Sequence, residues 1–446
     1  MSAQMWQDKV FAAVLLLFLL AQGMSVDEAR VFGWDESVYI GMGKYIASNG
    51  TQGLWEDIRP IGLPLLLSII PAGFSDWLML SFAAASMVLV YLIVRKISPL
   101  MALVAVLLYG VTPLFFSQAH LVMTHVPAVT FVLLAYYLFA EHPVFVGLSL
   151  GAAFLFRFPH GIAVAVFFFV YFFGKKYKEC VLVIIGFLAL LVPFFAFNVV
   201  LYHTITATLF DAAFRPVIFA FAHQSNPFHA GSPFFYVSEL LWQNPLFIFA
   251  CFGLFFRRMR TISLLFFAYL LYFSVIPNKQ SRFILDFLPF AVILSSYGLW
   301  RVVGRLKKHW THVAAFVFLC IVIQAPVIMQ ISYESWTDVR LVSFFTSFSS
   351  LDGTTITTTP LPAAYSNHLF LPIYDNPDVA LQLYPAFLSS AMYVLYTDDF
   401  YPCADVSCAM KKEMLYEQIT DNILISNVSV GETSYLLFQV IYTKST

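Results

Sequence analysis

Charged side chains are scarce in this chain of 446 residues, since Asp, Glu, Lys and Arg together make up only 11%. An average soluble domain carries about 25% of these residues. With 60% hydrophobic residues, a water-soluble fold would lack the polar surface that must face solvent, so a soluble protein is excluded. The formal net charge of -1 gives no basis for a nucleic-acid partner.

Cysteine is also rare, with five residues, which are too few for a disulfide framework. Cys403 and Cys408 lie close together near the C-terminus, where an oxidising compartment would permit a disulfide, and the sequence leaves their pairing open. No Cys/His array has the spacing of a zinc site. We find no convincing internal repeat, which argues against a transporter built from repeated halves.

Long apolar runs are what the chain has in abundance. A membrane-spanning helix needs about 20 mostly apolar residues. Eleven candidate spans follow from this criterion: 10–24, 77–94, 99–114, 126–140, 143–157, 160–174, 180–202, 236–256, 261–277, 283–300 and 311–332. We therefore predict an α-helical polytopic membrane protein. The first run is also compatible with a cleaved signal peptide, which would leave the following loop on the same side.

The lysines and arginines of short loops predict the orientation, because such loops stay in the cytoplasm when they are basic. Four basic clusters occur, at 95–96, 175–178, 257–260 and 301–308. Eleven spans with the N-terminus inside bring all four clusters to the cytoplasmic side. The segments then predicted to lie outside are 25–62, 115–125, 203–235, 278–282 and 333–446.

The last segment differs in composition from the rest. It contains a polar, Thr-rich stretch at 354–359, an alternating stretch at 435–442 and a short helical pattern at 408–420. We predict two domains, a membrane domain at 1–332 that includes the first external loop at 25–62, and a small mixed α/β extracytoplasmic domain at 333–446.

The first external loop carries two adjacent carboxylates. Asp35 and Glu36 begin a predicted helix at the membrane interface, in which Tyr39 and other apolar or small residues recur at helical spacing. Carboxylates in a first helical turn are favoured by the helix dipole, so capping is one interpretation. The other is a catalytic acid that acts as a general base towards a hydroxyl.

Four basic residues map to the external side, close to the bilayer: Arg59, Arg157, Lys279 and Arg282. Arg59 suits either a side chain that extends to the membrane interface or a phosphate ligand. The other three break the positive-inside trend, and ionisable residues at headgroup depth are functional candidates. Asp286 lies one turn beyond Arg282, and one interpretation of this spacing is a local ion pair between the two.

Together these features suit a substrate with a long apolar chain and a charged phosphate head. Basic side chains would stabilise negative charge on a departing phosphate, and a carboxylate would take the proton of an incoming nucleophile. The pattern therefore indicates group transfer from a lipid-phosphate carrier.

The same residues resemble a known superfamily. Asp35-Glu36-x-x-Tyr39, followed by Arg59-Pro60-x-x-Leu63, is similar to the GT-C glycosyltransferases, in particular to the protein O-mannosyltransferase-like and lipid A aminoarabinose transferase branches. Three later stretches fit as well: Thr124-His125-Val126-Pro127, the glycine-rich run from Gly147 to Arg157, and Lys279-x-x-Arg282-Phe283. The resemblance covers about residues 10–330.

The resemblance implies a polyprenyl-phosphate sugar as donor and inverting transfer to a hydroxyl or amine. It implies that Asp35, accompanied by Glu36, is the catalytic acid of the first loop. The residues implied to bind the donor phosphate are Arg59, Lys279 and Arg282, with Tyr39, His125 and Arg157 as supporting residues. His125 stands where the superfamily commonly has an acid. No cofactor is predicted with certainty, and a divalent metal stays open.

We thus expect an integral membrane glycosyltransferase, of a plasma membrane or an ER-type membrane, whose active site is extracytoplasmic. Its partners would be the polyprenyl-phosphate sugar, membrane lipid, and a glycan, lipid or protein acceptor, with no nucleic acid. A non-catalytic scaffold subunit and a lipid or glycan flippase are the competing functions. The sequence does not identify the sugar, the acceptor or the carrier.

Overall fold

A computed structural model describes residues 3–26, 30–202, 231–276, 278–305, 324, 338–374, 377–401, 403 and 406–441. The chain is mostly helical, at 69%, with a small C-terminal sheet, as predicted. The predicted span at 311–332 lies outside the described residues apart from Gln324, and so does the predicted loop at 203–235 apart from its last five residues.

The α-helices are numbered along the chain. They are α1 (Ala3–Gly23), α2 (Trp34–Ala47), α3 (Gly62–Leu67), α4 (Ser75–Arg95), α5 (Pro99–Gly110), α6 (Pro113–Gln118), α7 (His125–Leu138), α8 (Pro143–Phe156), α9 (Gly161–Phe173), α10 (Tyr177–Tyr202), α11 (Phe235–Gln243), α12 (Ala250–Leu254), α13 (Arg260–Val275), α14 (Leu288–Arg305), α15 (Val339–Ser347), α16 (Leu361–Tyr365), α17 (Pro377–Leu388) and α18 (Val406–Thr420). The strands are β1 (Thr354–Thr357), β2 (Leu369–Pro372), β3 (Tyr393–Thr397), β4 (Ile423–Val430) and β5 (Thr433–Gln439).

Backbone contacts divide the chain into two compact units. The first consists of Met1–Val26, Ile58–Gly62 and Asp76–Ser335, and the second of Asp27–Asp57, Leu63–Ser75 and Trp336–Thr446. By these contacts the first loop groups largely with the C-terminal residues, and the division into a membrane domain at 1–332 and an extracytoplasmic domain at 333–446 stays a prediction.

Within the described residues, three helices are long and apolar enough to cross a membrane: Met5–Gly23, Ser75–Arg95 and Tyr177–Ala196. A fourth is counted if the pair Phe235–Gln243 and Pro245–Leu254 forms one span. Other apolar helices of the first unit, such as α7, α8 and α13, are shorter than this criterion requires. The count of eleven spans stays a prediction.

Two predicted spans are interrupted. The run at 236–256 is bent by 120° between its two helices. Asn244 causes the break, because its side chain accepts a hydrogen bond from the backbone N–H of Leu246 at 3.0 Å, and Pro245 has no N–H of its own to continue the helix. The run at 99–114 ends at Gly110, and α6 starts anew at Pro113.

The glycines of α8 and α10 allow these two helices to pack closely. A Cβ atom on Gly147 would clash with the carbonyl oxygen of Val183, and one on Gly186 would clash with that of Val144. Small residues at such crossings let helix backbones approach within van der Waals contact. This packing fixes the end of α8, where Arg157 follows directly.

The sheet of the second unit has the strand order β2-β1-β3-β5-β4. β1 is parallel to β2 and β3, and β5 is antiparallel to β3 and β4. Because side chains alternate along a strand, Val394 and Leu395 of β3 face opposite sides, and each joins a separate apolar cluster. Cys403 and Cys408 form a disulfide beside this sheet, which settles the pairing that the sequence left open.

The helix α2 belongs to the second unit through specific contacts. Its residues Val38 and Met42 join the same apolar cluster as Leu395. After the helix, Gly53 exchanges backbone hydrogen bonds with the start of β2, donating to the carbonyl of His368 at 2.7 Å and accepting from Phe370 at 2.8 Å. These contacts explain why the first loop groups with the C-terminal residues.

Candidate active site

A buried carboxylate lies at the centre of the polar residues of the first unit. Asp286 ends the 3₁₀ helix Ser281–Asp286, just before α14, and its side chain has no solvent exposure. An isolated carboxylate costs several kcal/mol to bury, so it requires compensating partners. Those partners come from other helices.

Three side chains surround this carboxylate. Arg157, directly after α8, donates its Nε–H to Asp286 Oδ2 at 2.7 Å. His125, the first residue of α7, meets Oδ1 through Nδ1 at 2.9 Å, and His160 Nε2 lies 3.6 Å from the same oxygen. The carboxylate therefore ties together the ends of four helices, α7, α8, α9 and α14.

These neighbours compensate the buried charge of Asp286. Arg157 supplies a positive charge and a charge-assisted hydrogen bond, and the His125 ring supplies a second contact to the carboxylate. The ion pair in turn fixes the position of Arg157.

The guanidinium of Arg157 remains partly accessible. Its side chain is 15% exposed, against 0% for Asp286. It lies 5.1 Å from the centre of the Phe283 ring, which contacts its flat face. Nε is the atom that donates to Asp286, and the two Nη groups carry the other four N–H donors of the guanidinium. Such a fork matches phosphate oxygens.

Arg282 and Arg59 lie on segments next to this cluster. Arg282 is half-buried on the same 3₁₀ helix as Asp286, and its charge acts on His125. A Cβ on Gly62 would lie 2.7 Å from the carbonyl oxygen of Leu155, so the segment after Arg59 packs against the end of α8. Three residues span at most about 10 Å, which keeps Arg59 near that helix end.

Lys279 has a different environment. Its Nζ donates to the carbonyls of Phe273 and Ser274, each at 2.7 Å, and to that of Ile276. These carbonyls end α13, which leaves them without partners inside the helix. Burial lowers the pKa of Lys279 to about 8, so the amine is still mostly protonated at pH 7. The lysine therefore caps a helix end.

In the second unit, Glu36 has a structural role. It forms two hydrogen bonds with the guanidinium of Arg30, both at 2.9 Å, and accepts a third from the backbone N–H of Gly33 at 2.8 Å. Its side chain is buried. The hydrogen bond from Gly33 caps the start of α2, and it corresponds to the capping interpretation of these carboxylates given above.

Asp35 differs from Glu36 in exposure. It lies in the first turn of α2 and is half-exposed, whereas Tyr39, one turn later, is buried. The structure thus brings Arg157 and His125 together on Asp286, with Arg282 beside them. It places Asp35, Glu36 and Tyr39 in the second unit.

Asp286 is the central residue that sequence reasoning did not identify as part of the site. The sequence suggested Arg282 as its partner, but its hydrogen bonds reach residues 129 and 161 positions away. The feature of the sequence that could have identified Asp286 is its position as a single acidic residue among external basic residues. Within the described residues, no group of three or more His, Cys, Asp and Glu side chains is arranged to hold a metal.

The first unit also contains an apolar cleft of about 430 Å³. It lies between α8, α9 and α10, and its lining includes Phe154, Gly161, Phe168, Val183, Phe187 and Leu191. Arg157 follows α8 and precedes α9, two of the helices that form this cleft. A cleft with this lining suits a hydrocarbon chain.

Solved structures similar to this chain are membrane glycosyltransferases. The ArnT of Cupriavidus metallidurans, bound to undecaprenyl phosphate, is 13% identical, with 99% of both chains covered and a TM-score of 0.61. An oligosaccharyltransferase of Archaeoglobus fulgidus, tethered to an acceptor peptide, is 13% identical over 95% of this chain and 74% of that chain, with a TM-score of 0.61.

The arabinofuranosyltransferase AftD from Mycobacteria is 12% identical, with a TM-score of 0.52, and the match covers 97% of this chain and 40% of AftD. No protein-family profile and no curated protein sequence matches the chain. Identities this low establish the fold alone. The resemblance drawn from the motifs is confirmed at that level: the chain has the fold of the GT-C membrane glycosyltransferases.

Proposed function

We propose that this protein transfers a sugar from a polyprenyl-phosphate carrier to an acceptor on the extracytoplasmic side of a membrane. The observation that carries the proposal is the Asp286 cluster, in which a buried carboxylate holds Arg157, in a unit that also contains an apolar cleft. The similar ArnT structure is bound to undecaprenyl phosphate, a ligand that combines these two chemistries.

The donor head would meet the basic residues. Arg157 presents its Nη groups to the phosphate, and Arg282 and Arg59 add positive charge from adjoining segments. Lys279, whose donors are used at the end of α13, would contribute mainly by holding that loop. Preorganised cations stabilise charge as it develops on a leaving phosphate.

The lipid tail would lie in the apolar cleft between α8, α9 and α10. A volume of about 430 Å³ accepts only part of a polyprenyl chain, and the remainder would extend into the surrounding lipid. Burial of each methylene group contributes about 0.8 kcal/mol. This arrangement gives affinity without strong discrimination between carriers of different length.

Asp35 would be the general base, with Glu36 and Tyr39 supporting α2. The acceptor oxygen or nitrogen attacks C1 of the sugar from the face opposite the phosphate, and its proton passes to the Asp35 carboxylate. The bond from C1 to the phosphate oxygen breaks, and the electron pair leaves with polyprenyl phosphate. The configuration at C1 is inverted.

The orientation that we propose has the N-terminus in the cytoplasm and eleven spans. The four clusters of Lys and Arg then lie inside, and the second unit lies outside. A hexose or a pentose would fit this chemistry equally well.

The test is transfer by the purified protein. Radiolabelled polyprenyl-phosphate sugars are incubated with the protein in detergent and a total lipid and glycan extract, beside Asp35→Asn and the control Asp57→Asn. Asp57 is an exposed acid of the same loop. Label that moves to a product with wild type and Asp57→Asn, but not with Asp35→Asn, supports the proposal. Absence of donor binding would favour a scaffold or a transporter.

A further inference from the structure

The sheet of the second unit has a point where its strand order reverses. The chain leaves β1 through α16 to reach β2 on one side, then returns through α17 to β3 on the other side of β1. The chain therefore leaves the carboxyl ends of β1 and β3 in opposite directions. In open α/β sheets, ligands bind at the carboxyl ends of the strands where the strand order reverses in this way.

Two acids follow β3 at this edge. Asp398 and Asp399 come directly after Thr397, the last residue of the strand, and both are exposed. Asp398 accepts a hydrogen bond from the backbone N–H of Ser434 at 3.1 Å, which fixes its position. The pKa of Tyr435 is raised to about 12, mainly by burial and then by the negative charges of Asp399 and Asp398. The phenol of Tyr435 therefore lies close enough to both acids to be affected by their charges.

The start of α2 lies at the same edge. The ring of Trp34 meets that of Tyr374, two residues beyond the end of β2, with 4.9 Å between ring centres. The segment that follows α2 pairs with the opposite end of β2, where Gly53 bridges to Leu369. The helix therefore runs antiparallel to β2. Its first turn, which contains Asp35, lies at the carboxyl edge.

A buried hydroxyl faces this region without a partner. Thr397 is 3% exposed, and its Oγ1 makes no hydrogen bond to the described residues. It lies two residues after Leu395, so both side chains point to the face of the sheet that α2 covers. A buried hydroxyl that makes no hydrogen bond destabilises the protein. A polar group of a bound ligand would remove this cost by forming the missing hydrogen bond.

We propose that the carboxyl edge of β1, β2 and β3 binds the acceptor and that this acceptor is a hydroxyl-rich glycan. The inference rests on the proposed function, because it places the acceptor beside Asp35. Carboxylates accept hydrogen bonds from neighbouring sugar hydroxyls, and the Trp34 ring suits the apolar face of a sugar ring. Adjacent strands lie about 4.8 Å apart, so a chain of two or three sugars spans this edge.

The test separates acceptor binding from donor chemistry. The purified full-length protein is applied to a printed array of defined oligosaccharides, and binding of undecaprenyl phosphate is measured in parallel. The variants are Asp398→Asn/Asp399→Asn, and Asp399→Asn alone, which keeps the contact to Ser434. The control is Asp352→Asn, an exposed acid just before β1, at the opposite edge of the sheet.

We expect wild type and Asp352→Asn to bind the same subset of glycans, and both acidic-edge variants to lose at least tenfold in affinity while binding undecaprenyl phosphate unchanged. Equal glycan binding by all variants, or no glycan binding by wild type, would overturn this inference. Absence of undecaprenyl phosphate binding by the wild-type protein would instead overturn the proposed function. The two failures are therefore distinguishable.

Discussion

Asp35 and Glu36 are neighbours in the chain but have different environments. The carboxylate of Glu36 is occupied by Arg30 and by the backbone N–H of Gly33, whereas Asp35 is half-exposed in the same helical turn. A structural carboxylate and a catalytic one should respond differently to loss of charge.

We predict that Asp35→Asn lowers transfer about 10²–10⁴-fold, because it removes a general base, and that it destabilises the protein less than loss of the buried Glu36 charge. Glu36→Gln should instead lower the free energy of unfolding by about 1–3 kcal/mol, because Arg30 loses its charged partner. Transfer assays and thermal unfolding in detergent measure the two effects. Equal loss of stability in both variants would contradict the separation of roles.

Asp286 and Arg157 form an ion pair whose carboxylate is fully buried, and this gives a prediction for stability. Asp286→Asn leaves the guanidinium of Arg157 without its charged partner. Removal of one partner of a buried ion pair costs about 3–5 kcal/mol. We therefore predict that Asp286→Asn unfolds at a lower temperature than wild type.

Thermal unfolding of both proteins in detergent measures this difference, with Asp57→Asn as an exposed control. Equal unfolding temperatures for Asp286→Asn and wild type would show that the ion pair has no stabilising role.

At the scale of single elements, local patterns predicted more than distant contacts. Helical spacing after Asp35 predicted the helix observed as α2. The partners of Asp286 were not predicted, because His125 and Arg157 belong to remote helices and a nearby Arg282 offered a sufficient local explanation. The break at Asn244 was missed as well, because hydropathy averages over a window and ignores one side-chain cap.

The packing of α8 on α10 gives a prediction for glycine substitutions. Gly147→Ala should destabilise the protein by about 1–3 kcal/mol, because the added methyl group meets the Val183 carbonyl of a rigid neighbouring helix. Gly161→Ala is the matched control, since its Cβ would meet only the Phe154 ring at 3.4 Å or more. Thermal unfolding in detergent compares the two, and equal stability would argue against close backbone packing.

At the scale of the whole molecule, the proposed orientation can be tested by labelling. We predict that a cysteine at Ser350, exposed in the second unit, reacts with a membrane-impermeant maleimide on intact cells. A cysteine at Lys176, exposed between α9 and α10, should react only after the membrane is opened. Both changes are made on a Cys251→Ser background, because that native thiol is exposed. The reverse pattern would invert the topology.

The membership of α2 in the second unit has a consequence for biosynthesis. Residues 27–57 are made early, but the C-terminal part of their unit, which contains the sheet, begins at Trp336, roughly 280 residues later. At about 5–20 residues per second, the ribosome needs between about 15 seconds and a minute to reach them. During that interval the young helix has none of the sheet against which it packs, and its apolar face is available to chaperones, proteases or the membrane surface. The nascent chain thus depends on protection of α2 until the sheet has been synthesised, a requirement that the folded protein no longer has.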